Sequence, residues 1–349
     1  MRPADSPLIL APLPKPRAWG GDRLVRMGKA TAAAGIRWGE SWEVADLDPP
    51  IADGISRVAR GPLAGRSLRE LIELDPAGTL GPFAARRRFP LLIKFLDAGE
   101  NLSVQVHPSP EYARSHPEAH LKTEAWVVLA ATPGAVLYRG IRPEVTPERF
   151  FSDLSGKALV PRMIAVAPKP GDCIYLPSGI GHALGAGLLV AEVQTPSDTT
   201  YRVFDWDRDD PARPLHVEQA RECLRFGDAQ EDGTPGIVRR DEVRPLRASG
   251  FATRELCRSR AFRIESIEAE SDAELPLVTD GVPVVLMAIR GEGMRFRSGD
   301  RTLDLAAGET AILPAALRGW SILMPRGAEI LRAVPTSDLD RMLAGNASR

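Results

Sequence analysis

Short β-branched apolar runs recur along the whole chain: LLIKFLDA, LSVQVH, AWVVLA, AVLYRG, CIYLP and LLVAEVQ in the first part, PVVLMAI, GMRFR and EILRAV further on. Turn formers break them at short intervals, as in PKPGD, PSGIG, RGEG and RSGD. That rhythm predicts a mainly β protein, built as an antiparallel sandwich or jelly roll rather than a doubly wound parallel sheet. Helical periodicity is confined to three places: SLRELIEL after Gly65, TPERFFSDL opened by Thr146 or Pro147, and VEQARECLRF after His216.

The pattern lapses between Phe226 and Ser249, where GDAQEDGTPGIVRRDEVRPLRAS is polar and without apolar periodicity. This segment reads as a connector at 227–249, separating a first unit at 1–226 from a smaller β unit at 250–349. All five histidines precede the connector, so the second unit is expected to lack metal ligands. PKPGDCIYLPSGIGHAL and LAAGETAILPAALRGW share a Gly-acid turn, an apolar run and Leu-Pro. They give a weak signal of duplication in which the second copy has lost the position of His182.

Composition removes several function classes. With 349 residues and 44% hydrophobic content the chain can bury a substantial core. Its 45 Lys+Arg against 46 Asp+Glu leave no basic excess for a nucleic-acid partner, and Arg86-Arg87-Arg88 reads as a solvated face. No run approaches the roughly 20 apolar residues of a membrane span. The N-terminal apolar patch is broken by prolines and lacks a cleavage site, so a cytoplasmic location is the default expectation. Cys173, Cys223 and Cys257 are odd in number and scattered, which suits buried small hydrophobes better than disulfides.

Candidate chemistry concentrates in NLSVQVHP, where strand alternation puts Ser103, Gln105 and His107 on one face. Glu124 enters the run AWVVL, and His182 lies in the glycine-rich turn PSGIGHALGAG. Gln105, His107, Glu124 and His182 together make a four-donor site of two imidazoles, a carboxylate and a carboxamide. Such a set suits zinc, and equally manganese, iron, cobalt or nickel. Lys122 lies in phase with Glu124, and Glu192 in phase with Gln194.

LLIKFLDAGENLSVQVHP, LKTEAWVVL, YLPSGIGHALGAG and AEVQTPSDTTYRVFDW, preceded by AWGGDRL and GESWEVAD, resemble the type I mannose-6-phosphate isomerases in their short bacterial form. The resemblance covers the first two-thirds of the chain and extends more weakly beyond. It implies a cupin-type jelly-roll barrel followed by a second cupin-like β domain, and one zinc ion per chain held by Gln105, His107, Glu124 and His182. It implies an aldose-ketose shift between mannose 6-phosphate and fructose 6-phosphate through a cis-enediol, with a sugar phosphate as the small-molecule partner. Glu192 is then the candidate base. Arg202 matches the family's active-site arginine, there to stabilise enediolate oxygen or to contact phosphate, and Lys122 would bind phosphate or hydroxyl. Ser103 would donate to the phosphate or satisfy neighbouring backbone. Asp198 and Asp205, flanking Arg202, are expected to hold loop geometry or pair with arginines, and Trp19, Trp42, Trp126 and Trp206 to lie in the core or cavity wall. His116, His120 and His216 are left as surface or helix histidines. Isomerisation of another aldose, or sugar binding without catalysis, remain alternatives; the sequence leaves the oligomeric state open.

Overall fold

A computed structural model describes residues 2–49, 51, 53–227 and 233–343; positions 228–232 of the expected connector and 344–349 of the second unit lie outside it. The architecture is mainly β, with every strand pairing antiparallel. In the first sandwich a seven-stranded sheet runs in the order Ile237–Val238, Cys173–Leu176, Glu124–Ala131, Leu188–Gln194, Leu92–Asp97, Trp38–Val44, Leu13–Gly21. Over it lies a five-stranded sheet: Tyr201–Phe204, Val104–Val106, His182–Ala183, Leu137–Ile141, Met163–Val166. The second sandwich pairs a seven-stranded sheet (Leu8–Ile9, Thr310–Leu313, Val284–Arg290, Glu329–Pro335, Phe262–Ala269, Phe251–Arg258, Leu246–Ala248) with a four-stranded one.

Both large sheets arrange their five central strands in the same spatial sequence: fourth, third, fifth, second, first in chain order. The two Leu-Pro motifs, Leu176-Pro177 and Leu313-Pro314, each end the fourth of these strands. The weak duplication legible in the sequence is therefore matched by topology. The segment expected to connect the halves adds an edge strand to each sheet: Ile237 and Val238 pair with Ile174 and Cys173, and Leu246–Ala248 pairs with Phe251–Thr253. The N-terminal Leu8 and Ile9 cross over to pair with Ile312 and Ala311 of the second sandwich.

Side-chain alternation explains how the layers stack. Ile93, Phe95, Ala125, Val127, Ala191 and Val193 point away from the five-stranded sheet and share one apolar layer with Phe262, Ile264, Val285, Met287 and Leu331 of the second large sheet. On the opposite face Leu96, Trp126, Val128 and Val190 pack with Leu137, Val166 and Leu184. The centre of the large sheet of the first sandwich is thus buried on both faces, which is why its central strands read as near-continuous apolar runs and not as alternation.

The three expected helices are present in shorter form. Leu68–Leu74 starts at a capping box, with Ser67 Oγ accepting from Glu70 N–H and the Glu70 carboxylate accepting from Ser67 N–H at 2.7 Å. Pro147–Phe151 follows the Thr146 cap and stops where Asp153 turns the chain by accepting from Ser155 N–H. The third is Val217–Cys223. Pro76–Leu80 and Pro110–Ser115 were not legible by periodicity, being little more than one turn each; their signal is a capping Asp75 or Ser109 followed by proline. All three cysteines are buried, and no described helix is long and apolar enough to cross a membrane.

Because one apolar layer serves both sandwiches, Phe95→Ala and Ile264→Ala, on opposite sheets, should each destabilise the same unfolding transition by about 2–5 kcal/mol. Denaturant titration followed by tryptophan fluorescence checks this. Two separated transitions, each moved by only one of the substitutions, would contradict a shared layer.

Candidate metal centre

Cross-strand register gathers the site. Gln105 stands opposite His182 on one neighbouring strand and opposite Arg202 on the other, so one rung of the five-stranded sheet presents Arg202, Gln105 and His182 together. Alternation puts Ser103 and His107 on the same side as Gln105. The facing sheet presents a rung of Trp42, Lys94, Glu192 and Trp126, and two residues further on, on the same face, Glu124 pairs with Gln194. The turn that delivers His182 needs its glycines. Gly179 has φ +88°, and a Cβ on Gly185 would sit 1.7 Å from the Val136 carbonyl oxygen.

At the floor, His107, Glu124 and His182 are fully buried and their ligand atoms lie within 4.8 Å of one another. His107 Nε2 is 3.2 Å from Glu124 Oε2, and His182 Nε2 is 3.3 Å from Glu124 Oε1. Each imidazole donates its Nδ1–H to a backbone carbonyl, Thr199 O at 3.1 Å for His107 and Ile180 O at 2.8 Å for His182. A carbonyl can only accept, so both Nε2 lone pairs face the carboxylate. Neither His107 Nε2 nor either Glu124 oxygen has a partner in hydrogen-bonding geometry; Lys122 Nζ approaches Oε2 at 2.9 Å as an ion pair without the directionality of a hydrogen bond. Electron-rich atoms converging this way fit a cation between them. Gln105 Nε2 lies 3.2 Å from His182 Nε2, and half a turn of its carboxamide exchanges nitrogen for oxygen there.

The electrostatics separate the two carboxylates. Burial pushes His107 down to about 3, with the Lys122 charge adding to it, so the ring is neutral. Burial opposes ionisation of Glu124 too, yet the Lys122 ammonium beside it holds its carboxyl well below the usual range. Glu192 is raised, by burial first and then by repulsion from Glu124, although Lys94 and Lys122 pull the other way. Its Oε2 accepts from Trp126 Nε1 at 2.9 Å, while Oε1 is 3.3 Å from Lys94 Nζ with no directed hydrogen bond. One carboxylate is held in its charged form, and the other is pushed toward its neutral form.

Above this floor opens a cavity of about 460 Å³ whose wall includes Ser103, Gln105, Lys122, Glu192 and Arg202, together with Asp198 and Trp19. His107, Glu124 and His182 lie beneath it. Arg17, Glu40, Lys94 and Arg213 also line it and were not singled out from sequence. Lys94 had a readable signal, a charge in the middle of the apolar run LLIKFL. Arg17 and Glu40 had none, since they meet only through strand pairing, where Arg17 Nε and Nη2 reach Glu40 at 2.8 and 3.1 Å. Asp205 pairs with Arg208 and Arg213, as expected for a loop carboxylate. Of the other histidines, His116 stacks on Tyr112 and His120 is exposed.

A double β-sandwich with a His-Glu-His cluster sunk beneath a charged cavity defines a metalloenzyme class. Mannose-6-phosphate isomerase ManA of Bacillus subtilis (strain 168) is 34% identical over 316 residues, 89% of this chain and 94% of that protein. The mannose-6-phosphate isomerase of Streptococcus mutans is 31% identical over 90% of this chain and 94% of its own length. The chain belongs to the mannose-6-phosphate isomerase family. No family model matches it. Among solved structures, the mannose 6-phosphate isomerase from Bacillus subtilis superposes with a TM-score of 0.80 at 28% identity, covering 94% of this chain and 99% of that one. A mannose 6-phosphate isomerase bound with zinc and yttrium shares the fold at TM-score 0.69 and 18% identity, over 95% of this chain and all of that one.

Burial opposes the charge of Glu40, but Lys94 and Arg17 hold its carboxyl at about 2, against 4.5 ordinarily. Its ionisation therefore contributes about 3 kcal/mol of stability above pH 4.5, lost as pH falls from 4.5 toward 2. Glu40→Gln should lower the urea midpoint at pH 7 and close most of the gap to the parent protein by pH 3. An unchanged gap at both pH values would refute this account of the rim.

Proposed function

We propose that the protein is a metal-dependent aldose-ketose isomerase interconverting mannose 6-phosphate and fructose 6-phosphate through a cis-enediol. The single observation that carries this reading is the pairing of an electron-rich His-Glu-His floor with a cation-lined cavity in a chain of this family. Zinc is the metal proposed, held by Gln105, His107, Glu124 and His182; the donor set suits it, and one structural neighbour carries it. When bound, it supplies a positive charge that polarises substrate oxygen.

The chain's own residues account for the remaining work. Isomerisation moves a proton between C1 and C2 of the sugar, and the carbon acid needs a base within reach together with stabilisation of oxygen charge. Glu192 is the proposed base. Trp126 holds one of its oxygens, and Oε1 is left to accept and return the proton. Lys122, at the cavity wall and beside Glu124, orients a substrate oxygen.

Phosphate recognition falls to Arg202. Among the described lining residues, Arg17, Lys94, Lys122 and Arg213 each face a carboxylate: Glu40, Glu192, Glu124 and Asp205. Arg202 forms no such ion pair, and its Nε is buried without a partner. Its charge is the one available to a dianion, with Ser103 Oγ as an added donor.

A coupled assay of purified protein tests the reading, and absence of metal-restored turnover of mannose 6-phosphate would end it. Comparison with free mannose separates a phosphosugar enzyme from an isomerase of another aldose. Sugar binding in calorimetry with no turnover at high enzyme concentration would instead indicate a non-catalytic binder. His182→Ala should lose metal and activity together in elemental analysis and assay, because it removes one of the two imidazole donors of the set. Arg202→Ala should keep its metal and lose about 10- to 100-fold in kcat/KM, the scale of one charged hydrogen bond at roughly 1.5–3 kcal/mol. An arginine variant as active as the parent would remove its assigned role.

A further inference from the structure

Arg202 sits on Tyr201–Phe204, the outermost strand of the five-stranded sheet, whose one strand neighbour is Val104–Val106. An edge strand presents backbone groups that no further strand satisfies. Here His216 satisfies both: its N–H donates to Arg202 O at 2.7 Å, and its Nδ1 lies 3.2 Å from Arg202 N. A backbone N–H can only donate, so Nδ1 is the unprotonated nitrogen and the ring is the neutral Nε2–H form.

We propose that His216 is a positioning residue for Arg202, standing in for a missing strand so that the arginine is fixed at the cavity wall. This rests on the role given to Arg202 under the proposed function. Three observations support it. With Arg202 N–H and C=O turned outward to His216, Arg202 and Gln105 form a non-hydrogen-bonded antiparallel pair, the kind in which Cα atoms come closest, at about 4.5 Å. The side chains of the phosphate anchor and the candidate metal ligand therefore stand next to each other. The same short segment also grips the other end of the residue, since Pro214 O accepts from Arg202 Nη1 at 3.0 Å. Finally, His216 occupies the N-cap of Val217–Cys223 and makes no side-chain cap there. Its ring is turned back to Arg202 instead of serving the helix it opens. Burial, reinforced by the Arg202 charge, lowers the imidazole pKa and favours the acceptor form.

The test compares His216→Ala, which removes the acceptor, with His216→Asn, whose Oδ1 lies the same number of bonds from the backbone as Nδ1. Metal content, kcat and KM for mannose 6-phosphate are measured, with calorimetry of a hexitol phosphate, which has no carbonyl and cannot isomerise. His216→Ala should retain its metal, raise KM, weaken hexitol phosphate binding and lose about 10- to 100-fold in kcat/KM, as misplacement of a binding group does. His216→Asn should recover to within about threefold of the parent. An alanine variant with parental KM and affinity overturns the proposal, as does a folded, metal-loaded asparagine variant that recovers nothing. If the alanine variant fails to fold, His216→Asn set against His216→Gln, whose acceptor is one bond farther out, decides it: equal impairment of the two overturns it. A parent protein inactive on mannose 6-phosphate but binding hexitol phosphate in a His216-dependent way would defeat the isomerase reading and leave the clasp standing.

Discussion

Four charged side chains buried on or beside one face of a sheet whose other face is also covered set the constraint on this molecule. Lys94, Lys122, Glu124 and Glu192 are each at most 4% exposed. Taking a charge out of water is costly unless it is paired, and here the pairs are Lys94 with Glu192 and Lys122 with Glu124. The pairing is asymmetric. Lys122 holds Glu124 in its ionised form, whereas burial and then the like charge of Glu124 push Glu192 toward its neutral form. Breaking either pair would leave a carboxylate or an ammonium stranded, and the Lys94–Glu192 pair, which spans two neighbouring strands, also favours their register.

The two sheets of the first sandwich divide the task. The seven-stranded sheet, covered on both faces, supplies carboxylates and ammonium groups from rigid strands. The five-stranded sheet supplies imidazoles, carboxamide and guanidinium, on shorter strands that end in turns. Rigid placement suits groups whose pKa values depend on tenths of an ångström. The second set is anchored through backbone carbonyls at Thr199, Ile180 and Pro214, which fix ring and guanidinium orientation where strand length cannot.

Much of this could be read from the sequence where a signal is local. Apolar runs gave the strands, Ser67 and Thr146 gave helix starts, and alternation put Ser103, Gln105 and His107 on one face. A histidine between glycines and a glutamate opening an apolar run were visible for the same reason. What escaped depends on pairing between distant strands. Arg17 meets Glu40 across a strand pair, Arg213 enters the cavity from a loop held by Asp205, and His216, without a partner at ligand spacing, read as a surface or helix histidine because what it binds is the backbone of Arg202. Short helices such as Pro110–Ser115 escaped because one turn leaves no periodicity to detect.

The second sandwich repeats the strand order of the first without its chemistry, and the reason lies in which faces are covered. Its inward face is apolar: Ile267, Leu286, Ala288 and Ile330 pack with Phe296 and Ile322. Its outward face covers Phe95, Val127, Ala191 and Val193, the back of the strands that carry Lys94, Glu124 and Glu192. A sheet with that back in water would have an apolar face to hide and a more flexible platform for its buried charges. Leu8–Ile9, crossing from the first residues into the second large sheet, ties the two together beside the buried pair of Lys29 and Glu43, to which Thr310 also donates at 3.0 Å. The second sandwich thus has a physical role in the fold: it excludes water from the far side of the strands on which the site is built.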